Sequence, residues 1–372
     1  MTLENVFERI ATQYKNTLPF VAYRKPNNKF VKALFQNTDA LYTADTFTES
    51  GFVFSPFDAN EASVLMPLNK SDQMEVYMDV IAENQSVFKA SDVSIEDKSK
   101  HIHLVNKGIK AIKNNQFTKV VLSRKEIVPL LETAPISIFK RLLNTYPSAF
   151  VYFWYHPKVG LWLGATPETL IEIEGNRFSI MALAGTQDYK GTTEVVWKDK
   201  EIDEQQIVAN FIIQQLKPSV ENLNVSKTET VKAGNLLHLK TMISAKLKLE
   251  SSNLKQLIFD LHPTPAVCGF PKASAKKFIL EEEHYNRDFY TGFLGELNYE
   301  KSIAPRSSKK NIENRAYVIT KKCTQLYVNL RCMQIQEQNA HIYVGGGITE
   351  SSNADAEWEE TVSKSKIIKS IL

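Results

Sequence analysis

The chain has 372 residues, which at about 150 residues per domain suggests two to three domains, although single α+β units of this size also exist. Its net charge of +3 and hydrophobic content of 43% argue against a nucleic-acid-binding protein and a disordered chain. Three cysteines without a CxxC pair favour reduced thiols, and the longest apolar run, residues 149–155, is too short to cross a bilayer. Because Glu4 and Glu8 are not typical of a signal peptide, we expect a cytoplasmic protein with no membrane or nucleic-acid partner.

Glycine content separates residues 1–95 from residues 96–372, since only one of the 14 glycines, Gly51, precedes Gly108. Nothing marks the first region as separately folded, so we expect it to share one folding unit with the later core. From residue 96 the hydrophobic spacing predicts four helices and seven strands. The predicted helices are 95–115, 136–144, 198–216 and 354–371, and the predicted strands are 117–128, 149–155, 161–164, 170–174, 177–184, 326–334 and 341–344. Strands joined by hairpins as well as by helices indicate an α+β fold with largely antiparallel sheet.

Two residues are candidates for acid–base chemistry. Lys119 begins the segment KVVLSR, in which both strand faces mix polar and apolar residues. It is therefore either a solvated residue of an edge strand or a lysine in a polar cavity, where desolvation would favour the neutral, basic amine. Glu168 ends the turn GATPE between two predicted strands, and a carboxylate there is either solvated or catalytic.

Two pairs of carboxylates lie three residues apart on predicted helices, so that the members of each pair share a helix face. The first pair is Glu201 with Glu204, and the second is Glu357 with Glu360. They are either solvated charges, with Glu360 paired to Lys364, or oxygen ligands that two helices bring to Mg²⁺. Their spacing does not decide between these interpretations.

The run Gly345–Gly347 follows a predicted strand and matches neither a Walker loop nor a dinucleotide fingerprint. It is either a tight turn or a nest of backbone N–H groups that binds a carboxylate. Arg331 is a charge within an otherwise apolar predicted strand. His238 and His262 have no ligand spacing to each other, so we do not expect a zinc site.

Taken in order, the segments of the chain from about residue 96 to the end resemble the chorismate-utilising enzymes, and among these the isochorismate synthases most closely. The matching segments are KVVLSR (119–124), GATPE (164–168), LAGT (183–186), the acidic helix around Glu204, LLHL (236–239), HPTPAVCGFP (262–271), NRDFYTGFLG (286–295), NLRC (329–332), VGGGIT (344–349) and EWEETVSK (357–364). The HPTPA form is typical of isochorismate synthases, whereas anthranilate synthases typically have Phe-Pro-Ala-Gly-Thr there and usually lack the lysine found at position 119.

The resemblance implies an anthranilate synthase component I-like fold, with two packed, largely antiparallel sheets flanked by helices. It implies an isomerase that uses Mg²⁺ to convert chorismate to isochorismate for menaquinone or siderophore biosynthesis. Water would add at C2 while the C4 hydroxyl leaves, with Lys119 as the general base and Glu168 as the general acid.

The resemblance also implies the binding residues. The Mg²⁺ ligands would be Glu204 and Glu360, with Glu201 and Glu357 as secondary candidates. Residues expected to bind chorismate or line its pocket are Gly185, Thr186, His238, Tyr290, Arg331, Gly346, Gly347 and Lys364.

Three positions depart from the family pattern. They put in question how the substrate is bound, but not which reaction is catalysed. Ala182, Gln187 and Gln205 stand where relatives commonly have Pro, Arg and His. The alternatives are a salicylate synthase, an aminodeoxychorismate synthase component and, outside enzymes, a non-catalytic chorismate-binding protein. We expect a monomer that takes chorismate as its small-molecule substrate and needs no glutaminase partner.

Overall fold

The computed structural model of the chain describes residues 2–78, 94–130, 135–233, 236–248, 253–303 and 319–372. Over these ranges it has seven α-helices. Numbered in chain order, they are α1 (Leu3–Lys15), α2 (Ile95–Lys113), α3 (Pro135–Thr145), α4 (Asp199–Leu216), α5 (Leu254–Leu261), α6 (Lys272–Glu282) and α7 (Ala354–Lys369).

The strands of the described ranges form two large sheets in which all pairs are antiparallel. In spatial order, the first sheet contains β15 (Gly269–Phe270), β7 (Lys119–Pro129), β19 (Asn339–Ile348), β18 (Cys332–Gln336), β9 (Gly160–Thr166), β8 (Phe150–His156), β1 (Phe20–Arg24), β2 (Phe30–Gln36) and β6 (Ser71–Tyr77). The second contains β12 (Val220–Val225), β14 (Leu236–Leu247), β11 (Arg177–Asp188), β10 (Thr169–Glu174), β17 (Ile319–Val328), β16 (Phe293–Ile303), β4 (Gly51–Ser55), β5 (Val64–Pro67) and β3 (Tyr42–Thr43), with β13 (Glu229–Ala233) also beside β14. The α+β prediction is confirmed.

An aromatic core holds the two sheets against each other. Phe150 of the first sheet stacks on Tyr327 of the second, with ring centroids 4.1 Å apart. Trp154 meets Phe54 edge-on at 5.0 Å. Such pairs contribute about 0.5–1.5 kcal/mol beyond the burial of their area. Because these side chains alternate along their strands, their common face turns inward and fixes how the sheets pack.

Helices cover the outer faces of both sheets. Apolar residues of α1 and α3, such as Phe7 and Phe139, belong to the core beneath the first sheet. Residues of α4 and α5, such as Ile212 and Leu257, belong to the core beneath the second. Helices α2 and α6 pack on β7, and α7 packs on β19. Glu204 of α4 reaches the paired strands β7 and β19, where it lies beside Lys119 and Gly347.

The predicted strand 326–334 is wrong as a single element. The structure divides it into β17, which ends at Val328, and β18, which begins at Cys332 in the other sheet. Asn329 holds the crossing, because its side chain accepts a hydrogen bond from the Tyr152 hydroxyl and donates one to the Phe289 carbonyl. The segment is apolar on both sides of this crossing, so its hydropathy carries no sign of the break.

Both interpretations of the glycine run are also wrong. Gly345, Gly346 and Gly347 are neither a turn nor a nest but part of β19, opposite Ser123, Leu122 and Val121 of β7. The strand continues to Ile348 before the chain turns into α7. The missing side chains therefore open space on the faces of a paired strand.

Strands from the first 95 residues lie inside both sheets, where β1 pairs with β8 and β4 pairs with β16. The division at residue 95 itself stays a prediction. The three cysteines are unpaired, as expected from their spacing. Over the described ranges, no helix is both long and apolar enough to span a bilayer.

Candidate active site

A cavity of about 130 Å³ opens where strands of both sheets meet α4 and α7. Its walls contain most of the residues predicted for the site. These are Lys119, Glu168, Gly185, Thr186, Glu204, His238, Tyr290, Arg331, Gly347, Glu360 and Lys364. Three predicted residues, Glu201, Gly346 and Glu357, do not line it. Segments far apart in the sequence thus converge on one hollow.

Lys119 is buried in this cavity wall, with 2% of the residue exposed. It does not lie on an open edge, because it pairs with Phe270 of β15 while the next residue pairs with Ile348 of β19. Its Nζ lies 3.6 Å from Oε1 of Glu204. The edge-strand interpretation is therefore wrong, and the lysine points into a polar cavity.

Glu168 is also buried, at 5% exposure, rather than solvated. Its turn is held by the backbone, since its N–H donates to the Thr166 hydroxyl and its carbonyl accepts from the Val328 N–H. Burial raises the pKa of its carboxyl to about 8, although Lys119 and Arg331 pull it down. At neutral pH this side chain holds a proton that it can donate.

Arg331 and His238 form a polar contact beside Glu168. Arg331 lies at the crossing between the sheets with a positive φ of 47°, and burial lowers the pKa of its guanidinium to about 10, so it stays charged at neutral pH. Its Nη2 lies 3.4 Å from Nε2 of His238, whose Nδ1 is 2.9 Å from the Gly185 carbonyl. These partners assign the proton to Nδ1, and burial together with Arg331 lowers the pKa of His238 to about 4. The imidazole is therefore neutral, with an acceptor nitrogen facing the guanidinium.

Three carboxylates from two helices converge on the glycines of β19. A Cβ placed on Gly346 would lie 3.2 Å from Oε2 of Glu357 and 3.6 Å from Oε1 of Glu360. A Cβ on Gly347 would collide with Oε1 of Glu204. The glycine run thus makes room for acidic side chains of α4 and α7.

A lysine accompanies each of these carboxylates. Nζ of Lys200 lies 2.6 Å from Oε1 of Glu357, and Nζ of Lys364 lies 2.6 Å from Oε1 of Glu360. Burial raises the pKa of Glu357, whereas the burial of Glu360 is outweighed by Lys364 together with Lys200 and His238, which lower its pKa. Among the described residues, no three acidic, histidine or cysteine side chains are close enough to share a metal ion as they stand.

The three carboxylates would nevertheless fit Mg²⁺ if Lys200 moved away from Glu357. Oε2 of Glu357 is buried and has no hydrogen-bond partner, and it faces the gap above Gly346 together with Glu360. Carboxylate oxygens on a protected gap are what a hard divalent cation prefers. Glu204, Glu357 and Glu360 are the residues that would hold it.

Glu201, predicted as a secondary Mg²⁺ ligand, does not lie with the other three carboxylates. Since α4 begins at Asp199, Glu201 lies in the first turn, where its Oε2 accepts a hydrogen bond from the Lys198 backbone N–H at 3.0 Å. This satisfies one of the free N–H groups at the helix start. The carboxylate therefore turns back to its own helix and away from the other three.

A buried ion pair that the sequence did not predict fixes β7. The guanidinium of Arg287 donates to both oxygens of Glu283, at 2.7 and 2.6 Å, and to the Val121 carbonyl at 2.7 Å. Glu283 in turn accepts the backbone N–H of Ser123 at 2.7 Å. The pair thus ties the strand that carries Lys119 to the segment that carries Tyr290. The sequence signal was the NRDFYTGFLG segment, whose arginine was not assigned a role.

Arg287→Met is expected to lower the free energy of unfolding by about 3–5 kcal/mol, because it leaves the Glu283 carboxylate buried without its partner. Urea unfolding followed by circular dichroism measures this loss. The double variant Arg287→Met with Glu283→Gln is expected to recover part of it. A loss of less than about 1 kcal/mol for Arg287→Met would contradict an anchoring role.

Gly347→Ala is expected to lower the rate of the reaction proposed below at least about tenfold while changing the melting temperature little. The new methyl group would displace the end of Glu204 and crowd Cε of Lys119, and these are flexible side chains that can move without unfolding the strand. Steady-state kinetics and a thermal melt on the same preparation measure the two effects. Unchanged kinetics would show that the position of Glu204 does not matter.

Comparisons with known proteins agree with this fold. The sequence profile of a family described as chorismate binding enzyme matches residues 54–310, and a second profile of the same description matches residues 316–370. The first match alone covers more than half of the chain. The chain therefore belongs to the chorismate-binding enzymes.

Curated relatives include isochorismate synthase EntC of Escherichia coli strain K12, which is 28% identical over 66% of this chain and 60% of its own length. Isochorismate synthase DhbC of Bacillus subtilis strain 168 is 26% identical over 70% of this chain and 64% of its own length. The chain thus spans less than two thirds of the length of these relatives.

Solved structures of similar fold include MenF, the menaquinone-specific isochorismate synthase of Escherichia coli. It superposes with a TM-score of 0.75 and 17% identity, over 95% of this chain and 88% of its own. Anthranilate synthase component I of Streptococcus pneumoniae TIGR4 gives a TM-score of 0.64 and 18% identity, over 94% and 90%. These likenesses confirm the predicted fold.

Proposed function

We propose that the chain is an isochorismate synthase that converts chorismate to isochorismate. The observation that carries this proposal is that a buried lysine and a buried, protonated glutamic acid line one cavity. The cavity also holds the cations that a doubly negative substrate needs, Arg331 and Lys364. Arginine and lysine pair strongly with carboxylates where water is excluded.

In the proposed reaction Lys119 takes a proton from water as the water oxygen bonds to C2. The ring double bonds shift, the C4–oxygen bond breaks, and Glu168 gives its proton to the departing hydroxyl, so that one water enters and one leaves. A hydroxyl leaves poorly unless it is protonated. The raised pKa of Glu168 keeps the required proton on the acid at neutral pH. Solvent then returns a proton to Glu168 and takes up the proton that Lys119 received.

We further propose that Mg²⁺ is the cofactor and that Glu204, Glu357 and Glu360 hold it. Bound there, the ion would supply positive charge for a substrate carboxylate and offset the charge of the carboxylates that hold it. The unpartnered oxygen of Glu357 supports this assignment. We propose that the reaction takes place in the cytoplasm, feeds menaquinone or siderophore biosynthesis, and needs no glutaminase partner.

Product analysis tests the proposal. The purified protein is incubated with chorismate and MgCl₂, and the products are separated by chromatography. We expect isochorismate, with no pyruvate and no salicylate. Release of pyruvate with salicylate would instead show a salicylate synthase, and turnover that requires ammonia would show an aminating enzyme. Binding of chorismate without turnover would show a non-catalytic binding protein.

The rate is expected to depend on pH through Glu168. Because burial raises the pKa of its carboxyl to about 8, the proton donor is present below that pH and is lost as pH rises through it. We therefore expect kcat/KM for chorismate to fall above about pH 8 when Mg²⁺ is saturating. A profile from about pH 6 to about pH 10 measures this. The alkaline fall should be absent from the residual activity of Glu168→Gln, and its persistence there would assign it to another group.

A further inference from the structure

We propose that the Lys200 ammonium is a built-in counter-ion of the metal site, which occupies the carboxylate cluster in the absence of a divalent cation and must leave Glu357 for one to bind. Here the carboxylate cluster means Glu204, Glu357 and Glu360. The inference rests on the proposed function, because it concerns the cofactor site of that reaction.

The contacts of Lys200 support this role. It lies on α4, and its Nζ reaches across to Oε1 of Glu357 on α7 at 2.6 Å. The same oxygen accepts a hydrogen bond from the Ser352 hydroxyl at 2.7 Å. Glu357 is almost fully buried, with 3% of its side chain exposed, yet its Oε2 has no hydrogen-bond partner. One half of this carboxylate is satisfied by the lysine, and the other half is left open toward the gap above Gly346.

The charge of Lys200 acts on the whole cluster. Lys200 lies four residues before Glu204 on α4, and its Nζ bonds to Glu357, which lies three residues before Glu360 on α7. With Lys119 beside Glu204 and Lys364 beside Glu360, it offsets acidic groups that would otherwise repel one another. Charges that are partly buried in this way are screened only weakly by salt.

Lys200 is better placed to move than Lys364, the lysine that pairs with Glu360. Lys364 is tied to Glu360 and also donates to the Gly345 carbonyl at 2.9 Å. Within the described part of the chain, Lys200 Nζ has a hydrogen bond only to Glu357, and 26% of its side chain is exposed. It can therefore swing toward solvent when a cation takes the Glu357 oxygens.

An ammonium and a divalent cation that share one carboxylate must compete, because the charge of Lys200 on Oε1 repels a cation that binds at Oε2. The measured affinity for the metal then includes the cost of displacing Lys200. Lys200→Met keeps the length of the side chain and removes the competitor. Lys198→Met is the matched control, because Lys198 lies two residues earlier and is exposed, and among the described residues its side chain has no ion pair with the cluster.

The experiment measures Mn²⁺ binding to the full chain without chorismate by electron paramagnetic resonance, with displacement by Mg²⁺ to identify the site. We expect the dissociation constant to fall at least about tenfold in Lys200→Met and to change less than about twofold in Lys198→Met. We also expect a larger rise in melting temperature on adding Mn²⁺ to Lys200→Met than to the wild type. Lys200→Gln serves as a second variant if Lys200→Met folds poorly.

Two results would overturn the inference alone and leave the proposed function standing. One is equal affinity of Lys200→Met and the wild type, which would show that Lys200 does not compete. The other is weaker binding in Lys200→Met, which would show that Lys200 supports the metal. Absence of Mn²⁺ binding in every variant would overturn both the inference and the proposed cofactor, and the product analysis would then decide the reaction on its own.

Discussion

Lys119→Met is expected to lower kcat for chorismate consumption by about 10²–10⁴-fold, the range that a positioned general base contributes. Methionine fills the space of the buried lysine but cannot take a proton from water. The loss should appear in kcat more than in KM, because the lysine is proposed to act on the attacking water in the transition state. Initial rates at saturating chorismate and Mg²⁺ measure it, with a thermal melt to verify the fold.

Lys125→Met on the same strand is the control for this result. Lys125 is only half-buried and does not line the cavity, so its replacement should leave the rate near that of the wild type. If Lys119→Met folds poorly because Glu204 loses its partner, Lys119→Gln keeps a polar group beside that carboxylate. A rate within about threefold of the wild type in either Lys119 variant would remove the proposed base.

Glu168→Gln is expected to lower kcat by a similar factor of about 10²–10⁴, because the amide has the shape of the acid but no acidic proton for the leaving hydroxyl. Since glutamine replaces a side chain that is already neutral at neutral pH, folding should change little. Substrate binding should also survive, so that chorismate still binds while its conversion is lost. Titration calorimetry and initial rates on the same preparation separate the two effects.

Glu172→Gln on β10 is the matched control, since this carboxylate is exposed and lies outside the cavity. It should convert chorismate at the wild-type rate. A Glu168→Gln variant with undiminished kcat would show that the C4 hydroxyl receives its proton from elsewhere. Loss of binding together with loss of rate would assign Glu168 to substrate binding instead of proton transfer.

Local patterns in the sequence predicted some of the elements well, but they gave no prediction for α5, α6, β12 to β14 and β16 and did not show which strands pair. The helices around α2, α3, α4 and α7 and the strands around β7 to β11 are where hydrophobic spacing placed them. The strand predicted at 326–334 failed because the crossing at Asn329 depends on partners in other segments, Tyr152 and Phe289. Hydropathy reports which residues are buried but not which sheet buries them.

The same limit explains why the residues alone could not choose between interpretations of Lys119. Its burial depends on β15, a strand of only two residues that pairs with it from a distant part of the chain. A strand that short has no periodicity to detect. Recognition of the whole set of motifs did bring the correct segments together, because a family pattern carries this long-range information.

Nothing in the sequence indicates that Lys200 pairs with Glu357. Its spacing of four residues from Glu204 suggests an ordinary pair along one helix face. In the structure its ion-pair partner is Glu357, which is 157 residues away on another helix. For Gly345–Gly347 the sequence did give a signal, the run of three glycines, but not its role. That role is to leave room for carboxylates of α4 and α7, which only the structure shows.

The central claim is that a base in this cavity activates water for attack on C2 while an acid releases the C4 hydroxyl. Turnover of unlabelled chorismate in water enriched in oxygen-18 tests it most directly, with the product examined by mass spectrometry and carbon-13 NMR. The account predicts isochorismate with one labelled oxygen, located at C2, and no label in the remaining chorismate beyond that from reversal. Isochorismate whose C2 hydroxyl carries no label would show that the hydroxyl migrates within the substrate, and this would contradict the roles of both Lys119 and Glu168.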